Sequence, residues 1–215
     1  MVVPWWALVS AGCAPVVLVG AWVWAATLQP AGYDPMIDSI SALAANGAAY
    51  PWLMTGALYL LGVCHMATAL GLRTAALPGR VALACGGVAS IVVGLSPEPA
   101  DGGTSLRHLL STGIGFTLLA LFPMLAAVRG LAPNWTLRLS TGRVVTALMA
   151  IGAGWFLLEL HGHSVAGLAE RILTGAQTAW PLVIVAACVA ESVGVVAARA
   201  PVGATERYDG GDGGR

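Results

Sequence analysis

Lysine is absent from this chain, and charged residues of any kind are scarce. Only 9% of the 215 residues are charged, whereas a typical soluble domain has roughly 25%. The ten basic residues are all arginine and are balanced by ten acidic residues, so the chain has no basic excess with which to bind nucleic acid. Hydrophobic residues make up 58% of the chain and the mean hydropathy is +0.82. Such an excess of apolar side chains needs a lipid bilayer to cover it.

The four cysteines have neither disulfide nor metal-site spacing. They are Cys13, Cys64, Cys85 and Cys188, and each falls in a different apolar stretch. Disulfide frameworks lie in loops outside the membrane, and Cys-x-x-Cys pairs mark redox or metal sites. We therefore expect these cysteines to be small, unpaired packing residues.

Six apolar stretches approach the roughly 20 residues that a helix needs to cross a bilayer. Backbone groups in lipid must be satisfied within their own segment, so runs of this length predict helices. The first stretch is too long for a signal peptide and lacks its basic start, so we count it as a span. The predicted spans are Pro4–Leu28, Tyr50–Leu72, Gly79–Leu95, Leu106–Val128, Arg143–Leu160 and Gln177–Ala198. The sequence thus predicts an all-α polytopic membrane protein with one domain, 1–199, and a disordered cytoplasmic tail, 200–215.

The arginines predict the orientation in the cell (plasma) membrane. Eight of the ten lie in the second and fourth connections or after the last span, so the positive-inside bias places both termini in the cytoplasm. The outer connections Gln29–Ala49 and Gly162–Ala176 are apolar enough to hold short interfacial helices. In the first, Asp38 or Ser39 could cap a helix that ends near Asn46.

Most membrane-proximal carboxylates and histidines then fall on the outer side. Three interpretations remain open: solvated helix ends, a polar network that holds the loops to the bundle, or a catalytic or metal site. Histidines and carboxylates are ligands of zinc and related metals, but no compact ligand motif identifies a metal or another cofactor. The candidate site residues are Asp38, Ser41, Asp101, His108, Glu159, His161, Glu170 and Arg171.

Two further polar residues lie deeper in the predicted bundle. His65 in the second span and Glu191 in the sixth should reach a similar depth in the inner half of the membrane. A buried carboxylate is costly unless it is paired or neutral. The two side chains could form a structural hydrogen bond or a proton relay, or they could never meet.

Several segments together resemble a known family of membrane proteins. They are Tyr33-Asp34-Pro35-Met36-Ile37-Asp38-Ser39-Ile40-Ser41, Gly94-Leu95-Ser96-Pro97 followed by Asp101 and His108, and Glu170-Arg171. The chain is similar over about residues 5–198 to the six-span prokaryotic family called domain of unknown function 998, and more distantly to the DRAM and Sfk type of six-span protein. The resemblance implies the same topology and marks Ser41, Asp101, His108, Glu170 and Arg171, but it implies no reaction.

Three functional hypotheses follow, in decreasing order of preference. The first is a lipid-associated scaffold or accessory subunit that has a membrane-protein partner, because no catalytic motif is recognisable. The second is a membrane-embedded hydrolase or transferase at the outer face. In it His108 is the general base or a metal ligand, with Asp101, Asp38, His161 and Glu159 as partners. The third is a small proton-coupled transporter that uses His65 and Glu191. We expect His108, Asp101, Glu170 and Arg171 to meet under the first outer loop.

Overall fold

The computed structural model describes residues 3–100, 103, 105–130, 132, 134–162 and 164–199, with side chains of the last helix described as far as Gly194. This part of the chain folds into six α-helices and two short 3₁₀ turns, without a strand. The helices are α1 (Trp5–Thr27), α2 (Pro51–Gly71), α3 (Leu77–Gly94), α4 (Leu106–Leu125), α5 (Leu139–Gly162) and α6 (Ala166–Arg199). All six are long and apolar enough to cross a membrane, so the prediction of an all-α, multi-pass membrane protein is confirmed.

The helices form a closed ring. Each packs against its neighbour in sequence, and α1 also packs against α6. Glycines allow the closest approaches, as at Gly62 of α2 and Gly87 of α3. A Cβ on Gly62 would lie 2.4 Å from the Gly87 carbonyl oxygen, so any side chain there would push the two helices apart.

Because successive helices run in opposite directions, the connections fall at two ends of the bundle. We call the end with connections 28–50, 95–105 and 163–165 the odd-loop end. The end with connections 72–76 and 126–138 is the even-loop end. The predicted tail, 200–215, lies outside the described residues.

The last helix begins earlier than the sequence predicted. Residues Gly162–Ala176 were expected to form an outer loop with its own interfacial helix, but α6 starts at Ala166 and runs through this segment without a break. The predicted span began at Gln177, after the charged residues Glu170 and Arg171. Both side chains instead find partners in the first loop, which removes the cost of placing them in the helix.

The first loop contains the other predicted short helix as a 3₁₀ turn, Ser41–Ala44. The Ser39 hydroxyl accepts a hydrogen bond from Ala42 N at 3.1 Å. The N-cap of the turn is Ile40, however, and neither Asp38 nor Ser39 occupies that position. Gly47 follows with φ +103°, a conformation that favours glycine. The turn brings Ser41 to the odd-loop end of α4.

Candidate functional site

The first loop is docked on the start of α6 through its backbone. Gly167 N donates to Ile37 O and Leu168 N to Met36 O, both at 3.0 Å. The first N–H groups of a helix have no partner within the helix, so the loop carbonyls satisfy them. The loop approaches so closely that a Cβ on Gly167 would lie 2.3 Å from Asp38 O. Only glycine fits at this position.

Arg171 clamps the same loop from the side. Its Nη1 donates to Pro35 O at 2.6 Å, to Asp38 O at 2.8 Å and to Gly167 O at 2.9 Å, and its Nη2 donates to the Tyr33 hydroxyl. Burial raises the pKa of Tyr33, although the Arg171 charge opposes this shift, so the phenol stays neutral. The Arg171 guanidinium therefore holds the first loop in place by binding main-chain and phenol oxygens of residues 33–38.

Glu170 holds the loop from the inside of the bundle. Its side chain is buried, the residue being only 4% exposed, and its Oε2 accepts a hydrogen bond from Ile40 N at 2.6 Å. Ile40 is the residue before Ser41. Adjacent residues of α6 thus fix the loop on both sides and set the position of Ser41.

His108 lies against Ser41. It is 5% exposed, and its backbone N donates to Ser105 Oγ, the cap of α4. Its ring Nδ1 is 2.8 Å from Ser96 O, and its Nε2 is 3.1 Å from Ser41 Oγ. Since a carbonyl can only accept, we assign the ring proton to Nδ1. In the neutral ring, Nε2 is then free to accept the proton of the Ser41 hydroxyl.

Glu98 completes this group of side chains. Its Oε1 lies 3.6 Å from His108 Nε2, and its carbonyl accepts from Asn46 N at 2.9 Å, which ties the third connection to the first loop. Burial raises the pKa of Glu98, while the neighbouring His108 lowers it. An ionised Glu98 would stabilise a positive charge on the His108 ring.

A cavity of about 80 Å³ lies beneath these residues, inside the ring of helices. Ile40, Ser41 and Glu170 line it from the loop side. Gln177 and Thr112 line it from α6 and α4, and neither Gln177 Oε1 nor Thr112 Oγ1 has a hydrogen-bond partner in the described part of the chain. Much of the remaining wall is apolar, formed by Leu18, Leu58, Leu61, Val93, Phe116 and Leu119.

The structure thus brings together four of the candidate residues, His108, Ser41, Glu170 and Arg171, around the first loop. Asp38 joins them only through its carbonyl, because its carboxylate accepts from Asp34 N at 2.7 Å within a local turn. Asp101, like His163, lies outside the described residues. For the described residues, no group of three His, Cys, Asp or Glu side chains is placed to hold a metal ion.

Glu159 and His161 lie apart from the His108 group. Glu159 accepts hydrogen bonds from Trp155 Nε1, Ser164 Oγ and Val165 N, so it bridges the short connection between α5 and α6. His161 is exposed, and its Nδ1 lies 2.9 Å from Leu157 O in its own helix. Neither contacts His108, so the expected partnership does not form.

The deeper pair does not form either. His65 is fully buried, and neither of its ring nitrogens has a partner among the described residues. Glu191 is exposed on the surface of α6. The reason is the helix arrangement: His65 lies next to Gly87 of α3, whereas α6 packs mainly on α1 and α5.

Sequence reasoning missed Gln177, Thr112 and the docking position Gly167. Gln177 carried a usable signal, since an uncharged amide at the edge of an apolar run usually faces the bundle interior. No local pattern marks Thr112 or Gly167, because their importance arises from residues distant in sequence.

The comparisons with known proteins agree with the resemblance noted from the sequence. The family model described as Protein of unknown function (DUF998) matches residues 11–190, which include most of the described helices. No curated protein and no solved structure matches the chain.

Proposed function

We propose that this chain, which belongs to the Protein of unknown function (DUF998) family, is a membrane-embedded hydrolase or transferase. In this proposal Ser41 is the nucleophile and His108 is its general base. One observation carries it: Ser41 Oγ lies 3.1 Å from His108 Nε2, and Ser96 O orients the ring through Nδ1. A nucleophile, a base and a group that orients the base are the parts that an activated serine needs.

The reaction would transfer an acyl group in two steps. Ser41 Oγ attacks the carbonyl carbon of an ester, and His108 Nε2 takes the hydroxyl proton. The carbon–oxygen bond of the ester then breaks, and His108 gives the proton to the leaving alcohol. Water or a second alcohol releases the acyl group from Ser41 by the reverse proton transfers. Glu98, 3.6 Å from Nε2, would stabilise the protonated ring between these steps.

The surroundings of Ser41 suggest a lipid ester as the substrate. Ser41 lines the cavity whose other walls are largely apolar, and the protein is surrounded by a bilayer. Glu170 and Arg171 act as positioning residues, because they hold residues 33–40 against α6 and so fix the loop that carries Ser41.

We also propose that the odd-loop end faces the outside of the plasma membrane and that both termini are cytoplasmic. The support is the concentration of arginines near the even-loop end and after the last span. Labelling of an Asn46→Cys variant in whole cells by a membrane-impermeant maleimide tests this, with the chain's own cysteines replaced by alanine. Labelling only after the cells are broken would reverse the orientation.

A fluorophosphonate probe tests the proposed chemistry, because an activated serine displaces its fluoride and becomes covalently labelled. Membranes that contain the wild-type chain should be labelled at Ser41. Ser41→Ala should abolish labelling, and His108→Gln should slow it by at least about 10²-fold, as expected when a general base is removed. Ser164→Ala, which changes another serine at the same end, should be labelled like the wild type.

The scaffold hypothesis predicts the opposite result. In a scaffold or accessory subunit, Ser41 would be no more reactive than Ser164, and neither substitution would change the labelling. Thermal unfolding of each purified variant shows whether it is folded. Unlabelled Ser41 in folded wild-type protein would overturn the proposed function.

A further inference from the structure

The polar lining of the cavity consists mainly of hydrogen-bond acceptors. Four hydroxyl groups on its wall already donate their hydrogens to backbone carbonyls, so they can offer only lone pairs to an occupant. These bonds run from Ser90 to Leu58 O, from Ser111 to Arg107 O, from Thr174 to Glu170 O and from Thr178 to Thr174 O. In the described lining there is no arginine or histidine, so the cavity offers nothing to neutralise an anion.

Gln177 contributes a buried hydrogen-bond acceptor to the cavity. The residue is 1% exposed, and its Nε2 donates to Phe116 O at 3.0 Å, which fixes the direction of the amide group. Its Oε1 has no partner within the described residues, and neither has Thr112 Oγ1. A buried acceptor without a donor costs roughly 1–3 kcal/mol. An occupant that carries a donor would remove this cost.

The volume of the cavity and its apolar walls further limit the kind of molecule that can bind there. A buried water needs at least about 10–15 Å³, so the 80 Å³ cavity has room for several waters or for a small polyol. Leu58, Leu61 and Leu119 on the wall suit the methylene groups of such a molecule. Glu170 also lines the wall, and its Oε2 already accepts from Ile40 N. An ammonium group is therefore the competing occupant that the binding experiment must exclude.

We infer that this cavity binds a hydroxyl-bearing group whose O–H donates to Gln177 Oε1. The group is either the alcohol end of a membrane lipid or a free small alcohol. Because Ser41 lines the same cavity, the bound alcohol is the acyl acceptor, a part that rests on the proposed function. Its oxygen attacks the acyl carbon on Ser41, its proton passes to His108 Nε2, and Ser41 leaves with a proton returned from His108.

Binding can be measured with the full chain in an amine-oxide detergent, which has no hydroxyl groups of its own. The probes are 1-O-octylglycerol, an ether that cannot be hydrolysed, and octylamine and octanoate, which have ammonium and carboxylate heads. We expect octylglycerol to bind at least tenfold more tightly than the other two. Free glycerol distinguishes the sources: a free alcohol is indicated if glycerol binds as tightly as octylglycerol, and a lipid alcohol if it binds more weakly.

Variants locate the binding in the cavity. Gln177→Leu should weaken octylglycerol binding at least tenfold, and Thr112→Val should weaken it several-fold. Thr117→Val changes an exposed threonine of the same helix and should leave binding unchanged. Thr112→Val serves as the test if Gln177→Leu does not fold. Equal binding of octylamine or octanoate, no binding of octylglycerol, or binding that ignores both cavity variants would overturn the inference.

The same experiment separates the site from the chemistry. In a Ser41→Ala background, Gln177→Leu should still weaken octylglycerol binding at least tenfold. Gln177-dependent binding without fluorophosphonate labelling would leave the alcohol site standing and reject the proposed function. Labelling of Ser41 without alcohol binding would do the reverse.

Discussion

At the even-loop end backbone bonds and contacts to Cys188 join the connections, whereas at the odd-loop end a charged pair of α6 and a histidine of α4 hold a long loop in place. Ala76 N donates to Ala126 O across the even-loop end, and Val128 N donates to Leu137 O within the fourth connection. Asn134 accepts from Thr136 N within its own turn and donates through Nδ2 to Cys188 Sγ of α6 at 3.2 Å. At the odd-loop end the partners come from different helices: Glu170 and Arg171 of α6 bind the first loop, and His108 of α4 binds Ser41.

The two ends differ in the kinds of side chain that hold them together. The even-loop end is held by backbone bonds, small residues and the uncharged contacts of Thr74 and Asn134 with Cys188. The odd-loop end buries the Glu170 carboxylate and the His108 ring against the first loop. Deeper in the bundle, Gln177 Oε1 and both ring nitrogens of His65 have no partner in the described structure. Such arrangements cost stability, and natural proteins accept this cost chiefly at functional sites. This difference supports the proposal that the functional site lies at the odd-loop end.

The largest expected losses of stability come from a Gly→Ala change, which adds one methyl group, at each end of the bundle. A Cβ on Gly79 would lie 2.3 Å from Ala126 Cα, and one on Gly167 would lie 2.3 Å from Asp38 O. Both clashes involve backbone, so Gly79→Ala and Gly167→Ala should each lower the free energy of unfolding by about 1–3 kcal/mol. Gly113→Ala, with open space around its Cβ, should be neutral or stabilising by about 0.5–1 kcal/mol.

Hydrogen exchange then separates the two ends. Gly167→Ala should speed exchange of the amides in residues 33–40, because it forces the loop away from α6. Gly79→Ala should leave those amides protected at matched stability, since it changes only the even-loop end. Equal exchange of the loop in both variants would show that the two ends are not independent.

A smaller effect is expected from Arg171→Lys, which keeps the charge and removes the planar guanidinium. One ammonium group cannot reach Pro35 O, Asp38 O and the Tyr33 hydroxyl together. We expect a loss of about 1–2 kcal/mol, faster exchange in residues 33–40, and slower fluorophosphonate labelling of Ser41. Arg143→Lys, an exposed change on α5, is the control and should alter none of these. Unchanged exchange in Arg171→Lys would mean that the Gly167 and Leu168 backbone bonds suffice to dock the loop.

The contrast between the ends also explains what the sequence could predict. Apolar runs were sufficient for the six helices, because a span of lipid-facing residues is a local property. The predicted span began eleven residues later than α6, because nothing local in the sequence shows that Glu170 and Arg171 have partners in the first loop. His65 and Glu191 were expected to meet from their depth alone, but depth does not fix the rotation of a helix or its neighbours.

The site shows the same limit. The family resemblance marked Ser41 and His108, and the structure places them in contact. No helical or strand periodicity in the sequence predicts that these two residues contact each other. Glu159 and His161 were expected at the same level as His108, but their hydrogen-bond partners lie on α5 itself and in the connection to α6.

The smallest expected effect is a pH dependence at Glu98. Burial raises the pKa of Glu98 in the folded protein above 4.5, its ordinary value, despite the opposing effect of His108. Between these two values the unfolded chain has lost a proton that the folded protein keeps, so stability falls as the pH rises. The wild type should therefore be most stable relative to Glu98→Gln below pH 4.5 and should lose that advantage through the folded pKa. Since Glu98 is only partly buried, we expect a change below about 1 kcal/mol.

Unfolding of both proteins from pH 4 to 7 measures this change in stability. The comparison repeated in a His108→Gln background should give a steeper fall, because the opposing charge is gone. A wild type that gains stability over Glu98→Gln as the pH rises would show that the ion pair with His108 outweighs burial at this end of the bundle.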